Sequence, residues 1–236
     1  MSNLQELLLS PLFSLTLTAG SYLLGQKIYK LSRCFPLLHP VLMAVIPVIV
    51  ILHLTGLDYL QYREGTEFFT LLLGTATVAL AVPLYQQLHL IRTHARALMW
   101  TLVLGAIFTP AVALGLGWIS GATEVTLLSL APKSVTTPIA IAVAESIGGL
   151  ATVAAGTVIC AGIVGAVIAP PLMSRMGIHN PAVRGFTMGL TAHAAGTARA
   201  FEISPVSGAF ASLGLALTGA LTAFTMPLAW ELIKLF

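Results

Sequence analysis

The chain has 236 residues, of which 57% are hydrophobic and only 8% charged, with a formal net charge of +3. That composition excludes a water-soluble globule, and the scatter of the basic residues through short joints, rather than along a tail or a basic helix, argues against nucleic acid as a partner. The lipid bilayer is the expected environment. At about 20 apolar residues per span there is room for roughly seven or eight membrane elements and no soluble domain.

In chain order, apolar runs fall at 9–26, 38–56, 68–86, 97–119, 122–131 with 135–145, 149–173, 185–198 and 207–233. Bare backbone polar groups are costly in lipid, so each long run is expected to be helical. The first run, in MSNLQELLLSPLF, has no Lys or Arg before it and no small-residue cleavage pattern after it, so it reads as a membrane helix and not a removable signal. Cys34 and Cys160 are too far apart in character and position for a disulfide framework. Two runs depart from the simple pattern. EVTLLSLAPKSVTTPIAIAVAESIGG is interrupted by Pro132, Lys133 and Pro138, leaving two halves each too short to span. RGFTMGLTAHAAGTARAFEIS, residues 184–204, carries two Arg, one His and one Glu, so little of it can face lipid.

Orientation follows from the basic joints. Lys27, Lys30 and Arg33 follow the first run, Arg92 and Arg96 the third, Arg175 and Arg184 the sixth, and Lys234 the last, whereas Asp58, Glu64 and Glu67 follow the second. With the basic joints cytoplasmic, the N-terminus is outside, runs one to four each cross once, and residues 119–124 are outside. Run six must then begin outside and end inside at Arg175. The broken run around PKSVTTP therefore starts and finishes on the same side, as a re-entrant hairpin or two tilted half-helices. Runs seven and eight are expected to cross once each.

A shift of 116 residues places Thr75, Ala76 and Ala79 on Thr191, Ala192 and Ala195, and Phe108 and Thr109 on Phe224 and Thr225. Runs two to four cross in the opposite sense to runs six to eight. The expected fold is thus an all-α polytopic membrane protein of one domain, 1–236, with two inverted repeats, about 1–118 and 119–236, and broken or re-entrant crossing helices. Inverted repeats of this kind place a substrate site near the midplane.

Lys133 is the first candidate for chemistry, because a cation at membrane depth usually pairs or serves a ligand. Ser134, Thr136 and Thr137 follow it and begin a helix, whose free N–H groups, with the hydroxyls and the ammonium, suit an organic carboxylate. The bland alternative is a shallow turn from which the lysine snorkels to the interface. In TAHAAGTARAFE, His193 and Thr197 lie four apart on one helical face, and Gly196 would let backbone approach a ligand. His193 could donate to a carboxylate or carry a coupled proton. Arg199 and Glu202 read as an i,i+3 ion pair, with Glu202 and Glu145 as further coupling candidates. In the first half, Thr75 and Thr77 occupy the places of Thr191 and His193, with Gly74 and Pro83 permitting a break, and threonines back-bonded within a continuous helix are the alternative. The other histidines, His39, His53, His89, His94 and His179, show no metal spacing, so neither metal nor cofactor is expected. No nucleophile elbow, metalloprotease helix motif, phosphate loop or intramembrane aspartate pair is present, and Lys133 and Ser134 adjoin, so they cannot form a Ser-Lys dyad. An enzyme is not expected.

The stretches HPVLMAVIPVIVILHLTGLDY, ATVALAVPLYQQ, LAPKSVTTPIAIAVAESIGG and AVRGFTMGLTAHAAGTARAFEISPVSGAFASL cover most of positions 39–213. On them the chain resembles the LrgB/CidB family. It departs at His39, where the family usually has Asn, and at Thr75, where it usually has Pro. The resemblance implies a cation-antiporter-like fold and two traditions of function. Bacterial members are named antiholin-like or murein-hydrolase exporters and work beside a smaller LrgA/CidA-type membrane partner. Relatives transport glycolate and glycerate in plastids, and others are associated with pyruvate uptake.

Together these readings predict a secondary transporter of small monocarboxylates such as glycolate, glycerate, lactate or pyruvate, coupled to protons or exchanging. The rival is a holin-like or antiholin-like pore component or regulator of murein hydrolase export. A multi-pass protein of the bacterial inner (plasma) membrane, associating as a homodimer, is expected.

Overall fold

The computed structural model describes residues 3–32, 38, 40–79 and 81–234, with the side chains at 3–5, 70, 73, 74, 76, 77, 83, 84, 233 and 234 outside the description. Arg33, Cys34, His39 and the Thr77 side chain therefore lie outside the described residues. The described chain is helical, without strands, as the uninterrupted apolar runs require. It forms two compact units, Met1–Ala79 and Leu80–Phe236.

The first unit holds α1 (Asn3–Leu9), α2 (Pro11–Leu31), α3 (Pro40–Thr55), α4 (Tyr59–Gly65) and α5 (Glu67–Ala79). Ser10 caps α2, with Pro11 at its first position where a missing N–H costs nothing. Gly25 of α2 lies against the Pro40 carbonyl of α3, too close for any side chain, and Thr18 of α2 hydrogen-bonds the Tyr62 hydroxyl of α4 at 2.6 Å.

The second unit holds α6 (Ala81–Gln86), α7 (Leu88–Thr93), α8 (Ala95–Ile119), α9 (Glu124–Leu130), α10 (Thr137–Ile147), α11 (Ala151–Arg175), α12 (Pro181–Ile203) and α13 (Pro205–Lys234). Among the described residues, three helices are long and apolar enough to cross a membrane: α8, α11 and α13 through Leu232. Of run three, residues 68–79 lie in α5 and 81–86 in α6, with residue 80 outside the described residues.

Helices α9 and α10 form a hairpin. Leu150, just beyond α10, donates its N–H to the Ser129 hydroxyl at 2.7 Å, and Gly149 lies against the Ser129 backbone, so residues 20 and 21 apart in sequence meet. Between them the chain descends through turns at 131–134, reverses, and climbs 11 residues of α10, about 16 Å. Gly148, at φ 94°, then ends α10 in the left-handed conformation a non-glycine side chain resists.

Helix α12 corrects an expectation. It does not cross as one helix but folds back at Ala192 (φ −121°, ψ 15°) and His193 (φ 41°, ψ −129°). Gly196 lies against the carbonyl of Met188, eight residues earlier, where a continuous helix would separate them by about 12 Å. Gly185 and Gly189 of the first arm abut the backbone of Ser207 and Ala211, so that arm runs parallel to α13, while the second arm, with Phe201 against Gly208, runs antiparallel to it. The hidden cause is small residues: the glycines let backbones approach, and the packing gained there outweighs the local preference of TAHAAGTARA for unbroken helix. As a consequence α13 runs in the same direction as α8, which corrects the expected opposite sense of runs four and eight and puts the Lys234 end of α13 with Glu124 and not with the basic joints. Trp230 of α13 lies with Trp118 of α8 and Leu127 of α9, at the end opposite to where a crossing α12 would have brought it.

The two hairpins enter from opposite ends of α11. Leu150 at its start touches the open end of the α9–α10 hairpin; Pro170 and Ser174 near its finish accept from Arg184 in the first arm of α12 at 3.1 and 3.4 Å. Each hairpin is about 16 Å deep and α11 is about 37 Å long, so the tips come together near its middle. Arg96, Arg175 and Arg184 belong to the end where α12 opens, and Glu124 and Glu145 to the end where the α9–α10 hairpin opens.

Candidate functional site

The tips converge on Val158, about a third of the way along α11. Val158 packs with Val135 and Ala140 of the α9–α10 hairpin, and its carbonyl lies 2.8 Å from His193 Nε2 at the tip of α12. Two features place the imidazole there. Gly162, one turn along α11, has no side chain: a Cβ would stand 2.5 Å from the ring. The positive φ of His193, rare for a residue with a side chain, turns the ring toward α11 as the chain reverses. A carbonyl only accepts, so Nε2 carries the proton and donates to Val158, and in the neutral form of the ring Nδ1 is an acceptor. Nδ1 is buried and has no partner, in a side chain only 6% exposed.

Lys133 lies within electrostatic range of this imidazole, half-buried, with Nζ 3.4 Å from the Ser134 hydroxyl. The start of α10 above it is left open. Thr136 occupies the N-cap position without capping, so its hydroxyl and the first-turn N–H groups have no side-chain partner, and Pro138 contributes no N–H. Thr136 and Thr137 are half-buried, and Ser134 is buried. Ammonium, unpaired amide N–H groups, a hydroxyl and an imidazole acceptor therefore share one region, a set able to hold an anion bearing a neighbouring hydroxyl.

The remaining candidates separate. Thr197 is buried, and its hydroxyl donates to the His193 carbonyl at 2.8 Å, steadying the tip. Gly196 serves the hairpin's own close packing against Met188, which corrects the expectation that it admits a ligand. Glu145 is exposed near the open end of its hairpin, about two turns from Thr137. Glu202 is exposed and pairs with Arg199 at 2.5 Å, as the i,i+3 spacing predicts. Thr75, in the first unit, is exposed and donates to the Leu72 carbonyl at 2.8 Å, the back-bonded alternative. Sequence reasoning missed Val158 and Gly162. A carbonyl acceptor in an unbroken apolar helix leaves no mark in sequence, and a single glycine among several in AGIVGA does not announce which neighbour it clears. Among the described residues no cluster of metal ligands occurs.

The LrgB-like family matches residues 18–232 of the chain. The chain is 36% identical over 217 residues to the protein YwbG of Bacillus subtilis, covering 91% of this chain and 95% of that one. It is 31% identical over 228 residues to the holin-like protein CidB of Staphylococcus epidermidis, 97% of this chain and 98% of that one. It is 26% identical over 228 residues to the antiholin-like protein LrgB of Bacillus subtilis, covering 97% and 99%. No solved structure matches. With the three long apolar helices, the stretches singled out in the sequence and a match over almost its whole length, the chain is a membrane protein that belongs to the LrgB-like family.

Proposed function

We propose that the chain is a secondary carrier for small monocarboxylates in the bacterial inner membrane, with the end of the second unit that holds Arg96, Arg175 and Arg184 cytoplasmic. One observation carries the reading: two hairpins opening at opposite ends of the second unit bring Lys133 and the unpartnered His193 Nδ1 to the same depth. In a carrier, irregular backbone at membrane depth is tolerated where it lines a ligand cavity, and paired breaks mark the binding site. Lys133 and the first N–H groups of α10 hold the carboxylate; Ser134, Thr136 and Thr137 bind its oxygens. The neutral imidazole accepts from a 2-hydroxyl, which favours glycolate, glycerate or lactate over a 2-oxo acid with no proton to give. His193 is also the first candidate for a coupled proton.

The test is counterflow of radiolabelled glycolate in proteoliposomes. Saturable exchange that falls at least tenfold in Lys133→Ala is the expected result, since a truncated carboxylate contact of this kind costs more than about 1.4 kcal/mol. Release of unrelated dyes would overturn the carrier.

The holin-like and antiholin-like names of the relatives favour the second reading, that of a pore component or its regulator, which we take as one controlling murein hydrolase export beside a small LrgA/CidA-type partner. That reading expects unsaturable leakage, or activity only when the partner is co-reconstituted. A homodimer is proposed under either.

A further inference from the structure

A second, smaller space adjoins the tip of the α9–α10 hairpin. It lies between Ala131, Pro132, Ser134 and Val135 of that tip, Thr109 and Pro110 midway along α8, and Thr218 and Thr222 midway along α13. The room open to the centre of a water-sized sphere is about 10 Å³, enough for one water or one small ion.

Its lining is oxygen-rich and incompletely bonded. The hydroxyl of Thr109, on this wall, and those of Thr191, Thr197 and Thr225 elsewhere each donate to the carbonyl four residues back in their own helix, which leaves Thr109 only its oxygen lone pairs to offer. Thr218 is 2% exposed and its hydroxyl has no partner at all. Thr222, one turn further along the same face, is 8% exposed and makes no such bond either. Pro110 has no N–H, so the carbonyl of Ala106, also on the wall, lacks its helical partner. A buried hydroxyl with unused lone pairs is unfavourable unless something fills it.

We infer that this space is a sodium site, built from the hydroxyls of Thr109, Ser134, Thr218 and Thr222 and the Ala106 carbonyl. All-oxygen ligands select a hard cation, and the lack of any carboxylate argues against a divalent one. Unwound backbone beside half-helix ends is where carriers hold sodium. Ser134 stands between this site and Lys133, whose ammonium is 3.4 Å from its hydroxyl. An unpaired ammonium repels a cation so close, and a carboxylate on Lys133 removes the repulsion. Sodium and the anion therefore bind cooperatively, each raising the affinity for the other by the same factor. This coupling rests on the carrier reading; the site itself does not.

The experiment is thermal unfolding in detergent, titrating sodium chloride against choline chloride at constant ionic strength. With glycolate present, the wild-type chain shows a saturable sodium-specific rise of a few degrees, and sodium lowers the half-saturating glycolate concentration about fivefold or more. In Lys133→Ala the sodium rise appears with no carboxylate added. Thr218→Ser keeps it and Thr218→Val loses it. Equal curves in sodium and choline, in both the wild type with glycolate and Lys133→Ala, would show a water in the space and overturn the site. Saturable glycolate counterflow undiminished in choline would sink the coupling and leave the carrier standing. A sodium rise in Lys133→Ala, with no counterflow by the wild-type chain in any medium, would sink the carrier and leave the site.

Discussion

The two hairpins of the second unit reach the same depth by different means. The α9–α10 hairpin reverses over residues 131–136, where Pro132 and Pro138 cannot continue a helix and Lys133 prefers a polar pocket. The α12 hairpin reverses at Ala192 and His193, in a stretch of alanines and threonines with no proline, and stores strain at a positive φ. The first break is written locally and would persist in many surroundings. The second exists because its neighbours demand it: Gly185 and Gly189 docked on α13, and the Val158 carbonyl holding the ring over Gly162. A strained histidine with an idle ring nitrogen is where a ligand would find a pre-organised partner.

This contrast is open to direct attack. The largest effect is expected from Gly189→Leu, because a side chain there overlaps the Ala211 backbone. Hairpin and α13 must part, and the loss exceeds the roughly 1–3 kcal/mol of ordinary overpacking, so folded protein should disappear from size-exclusion profiles. A monodisperse, normally melting variant would refute the close docking. A middle effect is expected from Ser129→Ala, which removes the acceptor for the Leu150 N–H at the open end of the other hairpin. Leu150 is half exposed, so water takes up part of the loss and about 1 kcal/mol is expected, read as a lower unfolding temperature, while turn residues 131–136 keep the reversal and glycolate binding survives. The smallest change in stability is expected from His193→Gly. Relief of about 1–3 kcal/mol of backbone strain offsets the lost hydrogen bond and packing, leaving the melting temperature near the wild-type value while glycolate binding falls. Strong destabilisation would mean that the positive φ carries little strain.

Lys133, Ser134, Thr136 and Thr137 were legible as a site because a charge, two prolines and three hydroxyls interrupt an apolar run, and interruption is a local signal. His193 was legible as a residue, but its setting was not. It was read on one helical face with Thr197, whereas the chain turns at His193 itself and the Thr197 hydroxyl donates to its carbonyl. Gly196 suffered the same way: its openness is used by the Met188 carbonyl and not by a ligand. Thr218 and Thr222 carried no signal, since LTGALTAF reads as ordinary membrane helix until its neighbours are known. The Arg199–Glu202 pair was legible because i,i+3 spacing alone brings the two side chains together.

By itself the sequence determined that this chain lives in a bilayer, that its elements are helices, and that one of them must turn back around Lys133. Those conclusions follow from transfer free energies and backbone chemistry that act residue by residue. Only the tertiary structure decided that α12 also turns back, that the two tips share Val158, and which oxygens are left without partners. Those outcomes depend on which backbones can touch, and contact between segments distant in the chain is a property of the packed whole.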